Sequence, residues 1–241
     1  MQKPNLILPT KDEEETIVGT LGQIEALNID WAGIIVVDDS VTSRTRDTAY
    51  ETWKAFNNGV PLLALKGVGN ESPSIKFAIE KCDGPVIVVD ADGSQDFEII
   101  PEMIKHLEKY DVVIGSRYCK GGHPGTSTKF SGVGNNFARM VLHSDIMDLT
   151  GRYFACDKNI ALNNCRWLGR GEDSIEFTYN CERSKLKIKE IPFCYKPRTG
   201  GQSKTNIAKY LWVYFNRVLW LRFAKGGGYG GNGNKYGSRM V

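Results

Sequence analysis

Five short apolar runs, separated by amphipathic stretches and each followed by polar residues, constrain the fold of this chain most strongly. They are Leu6-Ile7-Leu8, Gly33-Ile34-Ile35-Val36-Val37, Leu62-Leu63-Ala64-Leu65, Pro85-Val86-Ile87-Val88-Val89 and Val112-Val113-Ile114. Runs that are apolar on both faces suit strands buried between layers of helices. Between them, Glu14–Leu27 places Ile17, Leu21, Ile24 and Leu27 on one helical face, and Ser74–Cys82 and Glu98–Tyr110 repeat the pattern. The alternation predicts an α/β fold, a mainly parallel central sheet flanked by helices.

In an open sheet of this kind, ligands bind beyond the carboxyl ends of the strands. Leu8 leads into Pro9-Thr10-Lys11-Asp12-Glu13, and Val37 into Asp38-Asp39-Ser40. Val89 leads into Asp90-Ala91-Asp92, and Ile114 into Gly115-Ser116-Arg117. Four polar clusters are therefore expected to converge on one edge.

The second half is less regular. Cys119–Gly134 reads as a mobile loop rich in small polar residues, and Asn135–His143 as a helix. Tyr153–Leu162 and Lys187–Tyr195 read as strands, the second alternating through Ile188, Glu190 and Pro192. Ile207–Ala224 reads as an aromatic helix. The expected organisation is a catalytic domain over 1–205, the helix over 206–224 and a disordered Gly-rich tail over 225–241.

Composition narrows the classes. At 241 residues, with 41% hydrophobic and 24% charged, the chain is neither disordered, collagen-like nor polytopic in a membrane. A net charge of +3 is too small to argue for nucleic acid. Six cysteines without a C-x-x-C pair read as reduced thiols of a cytosolic protein, and the three histidines lack zinc-ligand spacing. No N-terminal run is long enough for a signal peptide, and none reaches the roughly 20 apolar residues that span a bilayer.

Asp90 and Asp92, two apart at a strand end, can both reach one hard cation. Mg2+ and Mn2+ favour such oxygen ligands and leave positions open for phosphate oxygens. The competing reading is a turn with a helix cap. No G-x-G-x-x-G or G-x-x-x-x-G-K-[ST] loop is present, which argues against dinucleotide oxidoreductases and phosphate-loop enzymes.

Together these residues resemble glycosyltransferase family 2 over about residues 5–205. Leu8-Pro9-Thr10-Lys11-Asp12-Glu13 is similar to the family's P-T-Y-N-E, Val37-Asp38-Asp39-Ser40 to its V-D-D-G-S, and Asp90-Ala91-Asp92 to its D-x-D. Val113-Ile114-Gly115-Ser116-Arg117-Tyr118 with Gly121-Gly122 resembles a motif of the polyprenyl-phosphate sugar synthases, typified by dolichyl-phosphate mannose synthase. Ile191-Pro192-Phe193 and Arg198-Thr199-Gly200-Gly201-Gln202-Ser203-Lys204 resemble their closing motifs.

The resemblance implies a GT-A-like nucleotide-sugar-binding fold and an inverting, metal-dependent transfer from a nucleotide diphosphate sugar. It implies that Pro9, Thr10, Glu13 and Asp39 hold the nucleoside, and that Asp90 and Asp92 meet Mg2+ or Mn2+ and the diphosphate. Arg117, Arg198 and Lys204 would bind phosphates, and Asp148 would border the donor sugar. Ser94 stands where many synthases carry a Gln that can be a third metal ligand. In the acceptor loop around Ser127–Ser131, Lys129 stands in for an expected arginine.

Two acceptors compete. The arginine and glycine motifs favour a polyprenyl phosphate. Gly171-Glu172-Asp173 resembles the E-D motif of members that glycosylate a sugar or protein hydroxyl, with Asp173 as general base; the alternative is that Glu172 and Asp173 cap the next helix. Aromatic and basic residues in Ile207–Ala224 fit either a membrane interface, on the cytoplasmic face, or packing beneath the catalytic domain.

Overall fold

The computed structural model describes residues 2–56, 58–125, 129–169, 171–197 and 207–223. Strands β1 (Asn5–Thr10), β2 (Gly33–Asp38), β3 (Leu62–Lys66), β4 (Pro85–Val88), β5 (Val112–Ser116), β6 (Phe154–Asp157) and β7 (Ile188–Pro192) form one sheet in the order β3-β2-β1-β4-β6-β5-β7. All neighbours are parallel except β6, which runs antiparallel to both β4 and β5.

Helices α1 (Ile17–Ala26), α2 (Arg44–Phe56) and α4 (Ile100–His106) cover one face. Helices α3 (Glu71–Glu80), α6 (Lys158–Asn163) and α7 (Asp173–Arg183) cover the other. Because successive strand residues point to opposite faces, Leu6, Leu8, Ile34 and Val36 enter the first core, and Ile7, Ile35 and Val37 the second. Cutting one of these back to Ala typically costs about 2–5 kcal/mol.

Three expectations need correction. The third run is an edge strand: β3 lacks a neighbour on one side, and Leu63 is 48% exposed. The segment expected as a strand to Leu162 stops at Asp157, whose carboxylate accepts the Asn159 N–H at 2.8 Å and starts α6. The expected loop to Gly134 ends early, because α5 runs over Lys129–Leu142. Gly132 and Gly134 disfavour a helix there, but Ala138 and Leu142 pack against α8 (Ile207–Phe223) and outweigh that local preference. Asn135, buried in α5, donates to Met147 O at 2.7 Å and accepts from Leu149 N at 2.9 Å, tying α5 to the loop that carries Asp148.

Helix α8 packs onto the domain. Tyr214, Val218 and Leu221 are buried against α5 and α7, and the Tyr214 hydroxyl donates to Gly171 O at 2.9 Å. No helix among the described residues is long and apolar enough to cross a membrane. All six cysteines are unpaired. The Gly-rich tail expected over 225–241 lies outside the described residues.

Candidate active site

The carboxyl ends of β1 and β2 separate the two acids of Asp38-Asp39. Asp38 is fully buried and structural: Arg46 Nη1 meets it at 2.9 Å and the Thr10 hydroxyl donates to it at 3.1 Å. Asp39 is half-buried and accepts from Gly69 N at 2.8 Å and the Ser74 hydroxyl at 2.9 Å. Gly67 packs directly on it; a Cβ there would lie 2.3 Å from Asp39 Oδ1. Pro9 and Thr10 are buried within β1, so they shape the strand end rather than present side chains to a ligand, and the Thr10 hydroxyl is spent on Asp38. Glu13 is half-buried, accepts the Thr16 hydroxyl at 2.5 Å, and its N–H donates to Thr45 at 3.1 Å.

Beyond β4, Asp90 and Asp92 come to the same edge. Asp90 Oδ2 accepts from Gln95 Nε2 at 3.0 Å, and Asp90 Oδ1 from Arg152 Nη2 at 2.9 Å. The same Nη2 meets Glu71 of α3 at 2.6 Å. Asp92 is 6% exposed and its Oδ1 accepts the Ser94 N–H at 3.0 Å. The Ser94 hydroxyl is fully buried and has no hydrogen-bond partner among the described residues. The side chains of Asp90, Asp92 and Ser94 offer oxygen donors alone, a chemistry that suits Mg2+ or Mn2+ rather than a softer metal.

Beyond β5, Arg117 is clamped. Its Nε and Nη2 donate to the two oxygens of Asp148 at 2.8 Å each, and Nη2 also to the Thr150 hydroxyl at 2.8 Å. Nη1 has a longer contact, 3.4 Å, with Ser131 Oγ. The guanidinium lies over the Tyr118 and Tyr195 rings. Burial opposes its charge, but Asp148 more than offsets this and raises its pKa. Asp148 is held in turn by β7, because the carboxylate of Glu190 accepts the Met147 and Asp148 N–H groups at 2.9 and 3.0 Å. The family-like Gly122 is needed here: a Cβ would lie 2.6 Å from Ser116 O.

Asp173 opens α7 and is 1% exposed. Its Oδ2 accepts the Gly169 N–H at 2.6 Å, and Arg217 of α8 lies 3.7 Å from its Oδ1. Burial raises its pKa; the neighbouring Ser72 hydroxyl draws it back, although no well-formed hydrogen bond joins the two. Asp173 stands in the first turn of α7, where an acid complements the helix dipole as expected. Glu172, at the N-cap position, makes no side-chain cap bond, and Arg217 draws Glu172, Asp173 and Glu176 together instead. Cys165, Asp173 and Glu176 approach closely enough to suggest a metal cage. Arg166, bidentate on Glu176, and Arg217 already supply the positive charge there.

Arg198 and Lys204 lie outside the described residues. Arg152, Glu71 and Gln95 neighbour these residues and were not singled out from the sequence, and Arg217 was read there only as a basic residue of the aromatic helix. Arg152 stands 62 positions from Asp90 and joins it only because antiparallel β6 is inserted beside β4. Gln95, five residues after Asp90, was the readable signal.

The family described as glycosyl transferase family 2 matches residues 5–163. The undecaprenyl-phosphate mannosyltransferase of Micrococcus luteus is 28% identical over 82% of this chain and 85% of its own. The dolichol-phosphate mannosyltransferase of Pyrococcus furiosus is 28% identical over 90% of this chain and 64% of its own. Among solved structures, glucosyl-3-phosphoglycerate synthase from Mycobacterium tuberculosis, in complex with Mn2+, UDP-glucose and phosphoglyceric acid, superposes with a TM-score of 0.69 at 12% identity, over 92% of this chain and 79% of that one. Mannosyl-3-phosphoglycerate synthase from Rubrobacter xylanophilus also gives 0.69, at 16% identity over 93% and 75%. These likenesses fix the architecture as the GT-A type.

Proposed function

The chain belongs to glycosyl transferase family 2, and from that membership we propose that it moves a hexose from a nucleotide diphosphate sugar to a polyprenyl phosphate, with inversion. Two relatives bear names of that class, the mannosyltransferases of Micrococcus luteus and Pyrococcus furiosus.

Asp39 and Glu13, the partly open acids at the ends of β1 and β2, would take the nucleoside. Asp92, with Asp90 and the Ser94 hydroxyl beside it, would hold Mg2+ or Mn2+; the bound cation neutralises charge on the departing diphosphate. Two solved neighbours carry Mn2+ with UDP-glucose and Mg2+ with UDP, which supports this assignment. Asp148, expected to border the donor sugar, is fully buried with both oxygens on Arg117 and would act by orienting that arginine. The acceptor phosphate would meet Arg117 Nη1 together with Arg198 and Lys204.

Burial of Asp173 carries the choice of acceptor. A hydroxyl must lose a proton as it attacks and needs an open base. Asp173 is 1% exposed and faces Arg217. An acceptor phosphate is already ionised and needs no base. The raised pKa of Asp173 is what favours the hydroxyl reading, with Asp173 as base.

On the surface, Trp212 and Phe223 of α8 and Met140 of α5 are 66%, 71% and 69% exposed, with Arg222 nearby. This edge would rest on a membrane and bring the site to a lipid-linked acceptor, making the protein peripheral.

The test is transfer of radiolabelled sugar from a panel of nucleotide sugars, with Mn2+, to undecaprenyl or dolichyl phosphate and to sugar hydroxyls. Lipid-extractable product is expected. Product only on hydroxyl acceptors would overturn the assignment.

A further inference from the structure

Both oxygens of Asp90 are already engaged, one by Gln95 and one by Arg152. A cation arriving at this edge therefore meets a carboxylate that already has a counter-charge. Arg152 is itself pinned: one nitrogen serves Glu71 and Asp90 together, at 2.6 and 2.9 Å, and its buried Nε has no partner among the described residues. Burial works against the guanidinium charge, but the two carboxylates outweigh it and Arg152 remains a cation.

We propose that Arg152 is a positioning residue acting through Asp90, and that it sets how tightly the Asp90–Asp92 edge takes a divalent cation. The inference rests on reading that edge as the cation site. With Arg152 in place, Glu71, Asp90 and Asp92 carry a partly balanced charge. Without it, the same three acids face an incoming cation unopposed, and Asp90 Oδ1 is free to ligate. Glu71 works in the same sense as a simple acid near a metal and adds to it: it shares Arg152 with Asp90 and weakens the guanidinium's grip there. Neutralising Glu71 removes a negative charge and leaves Arg152 to Asp90 alone, and both effects loosen the cation.

The experiment is Mn2+ binding to the full-length protein without donor, by calorimetry or by electron paramagnetic resonance of free Mn2+. Arg152→Met should tighten binding about tenfold or more, since a unit charge within several ångströms is worth at least that much. Arg152→Lys, which keeps the charge, should stay near wild type, and Glu71→Gln should weaken binding. In an Asp90→Asn background the part of this effect that runs through Asp90 Oδ1 is lost, so Arg152→Met should tighten binding clearly less, which a double-mutant cycle reads directly. A side chain that merely braces the fold would loosen the cation when removed, never tighten it.

Unchanged or weaker Mn2+ binding in a natively folded Arg152→Met protein, beside a wild type that does bind, overturns this inference alone. So does an equal effect in the Asp90→Asn background. If neither wild type nor Arg152→Met binds Mn2+, the cation reading of the edge falls as well.

Discussion

Arg117 and Asp148 meet in a bidentate pair, Nε to Oδ2 and Nη2 to Oδ1 at 2.8 Å, with the Arg117 side chain 10% exposed and that of Asp148 fully buried. The pair joins the end of β5 to the loop before β6. An arginine in a motif that resembles a phosphate-binding one is thus partly committed to holding the frame, and only one edge of its guanidinium is left for a ligand.

Removing one partner of such a pair leaves an uncompensated charge. Arg117→Ala should therefore destabilise the protein by about 3–5 kcal/mol, read as a drop in thermal midpoint. An unaltered midpoint with lost acceptor binding would show that Arg117 is a free phosphate ligand.

Asp92→Ala should abolish Mn2+ binding and lower transfer at least about a hundredfold. The turn hydrogen bond from Ser94 N is lost with it, so the thermal midpoint is read beside turnover to separate loss of the cation from loss of the fold. Full turnover in EDTA, or in the variant, would end the metal-dependent mechanism.

The raised pKa of Asp173 has a signed consequence. An acid whose native pKa stands above its unfolded value binds more protons when folded. Its contribution is thus most favourable below the unfolded pKa and declines as pH rises through the native one. Asp173→Asn cannot ionise, so its thermal midpoint should gain on wild type from acid pH towards neutrality; a constant difference contradicts the assigned shift. If the same variant loses about 10²–10⁴-fold in turnover with donor binding intact, Asp173 is a general base and the acceptor a hydroxyl.

The exposed and buried faces of α8 should separate in experiment. Trp212→Ala with Phe223→Ala should lower sedimentation with anionic liposomes at an unchanged thermal midpoint, since both side chains are largely exposed. Val218→Ala, 1% exposed, should lower the midpoint instead. Liposome binding that ignores the aromatic pair would make α8 a packing element only.

Much of this was readable from the chain. The apolar runs located β1, β2, β4 and β5 because hydrophobic strands ending in acids leave few alternatives. The exposure of β3 was hidden, since its place at the edge follows from strand order and not from its own residues. Helix α5 was cut short because Gly132 and Gly134 speak against a helix locally, while its partner α8 is some eighty residues away. At the site, Asp90 and Asp92 were legible as neighbours in sequence. The role of Asp38 was not, because its partner Arg46 comes from the following helix. Arg217 was legible only as a basic residue among aromatics, because its acids, Glu172 just before α7 and Asp173 and Glu176 on it, come from a distant segment.

The reversal of β6 has a consequence for how such a site can diversify. Every other strand delivers its last residues to the catalytic edge, whereas β6 presents its first, so the Asp148–Arg152 stretch arrives there from the opposite chain direction. Asp90 and Asp92, the acids proposed to hold the cation, and Arg152, the residue proposed to temper them, therefore sit on separately variable segments. An insertion or deletion before Phe154 re-aims the arginine and leaves Asp90 and Asp92 where they are. Metal appetite in this architecture can drift between lineages with the acidic motif unaltered, and comparison of the motifs alone would miss it.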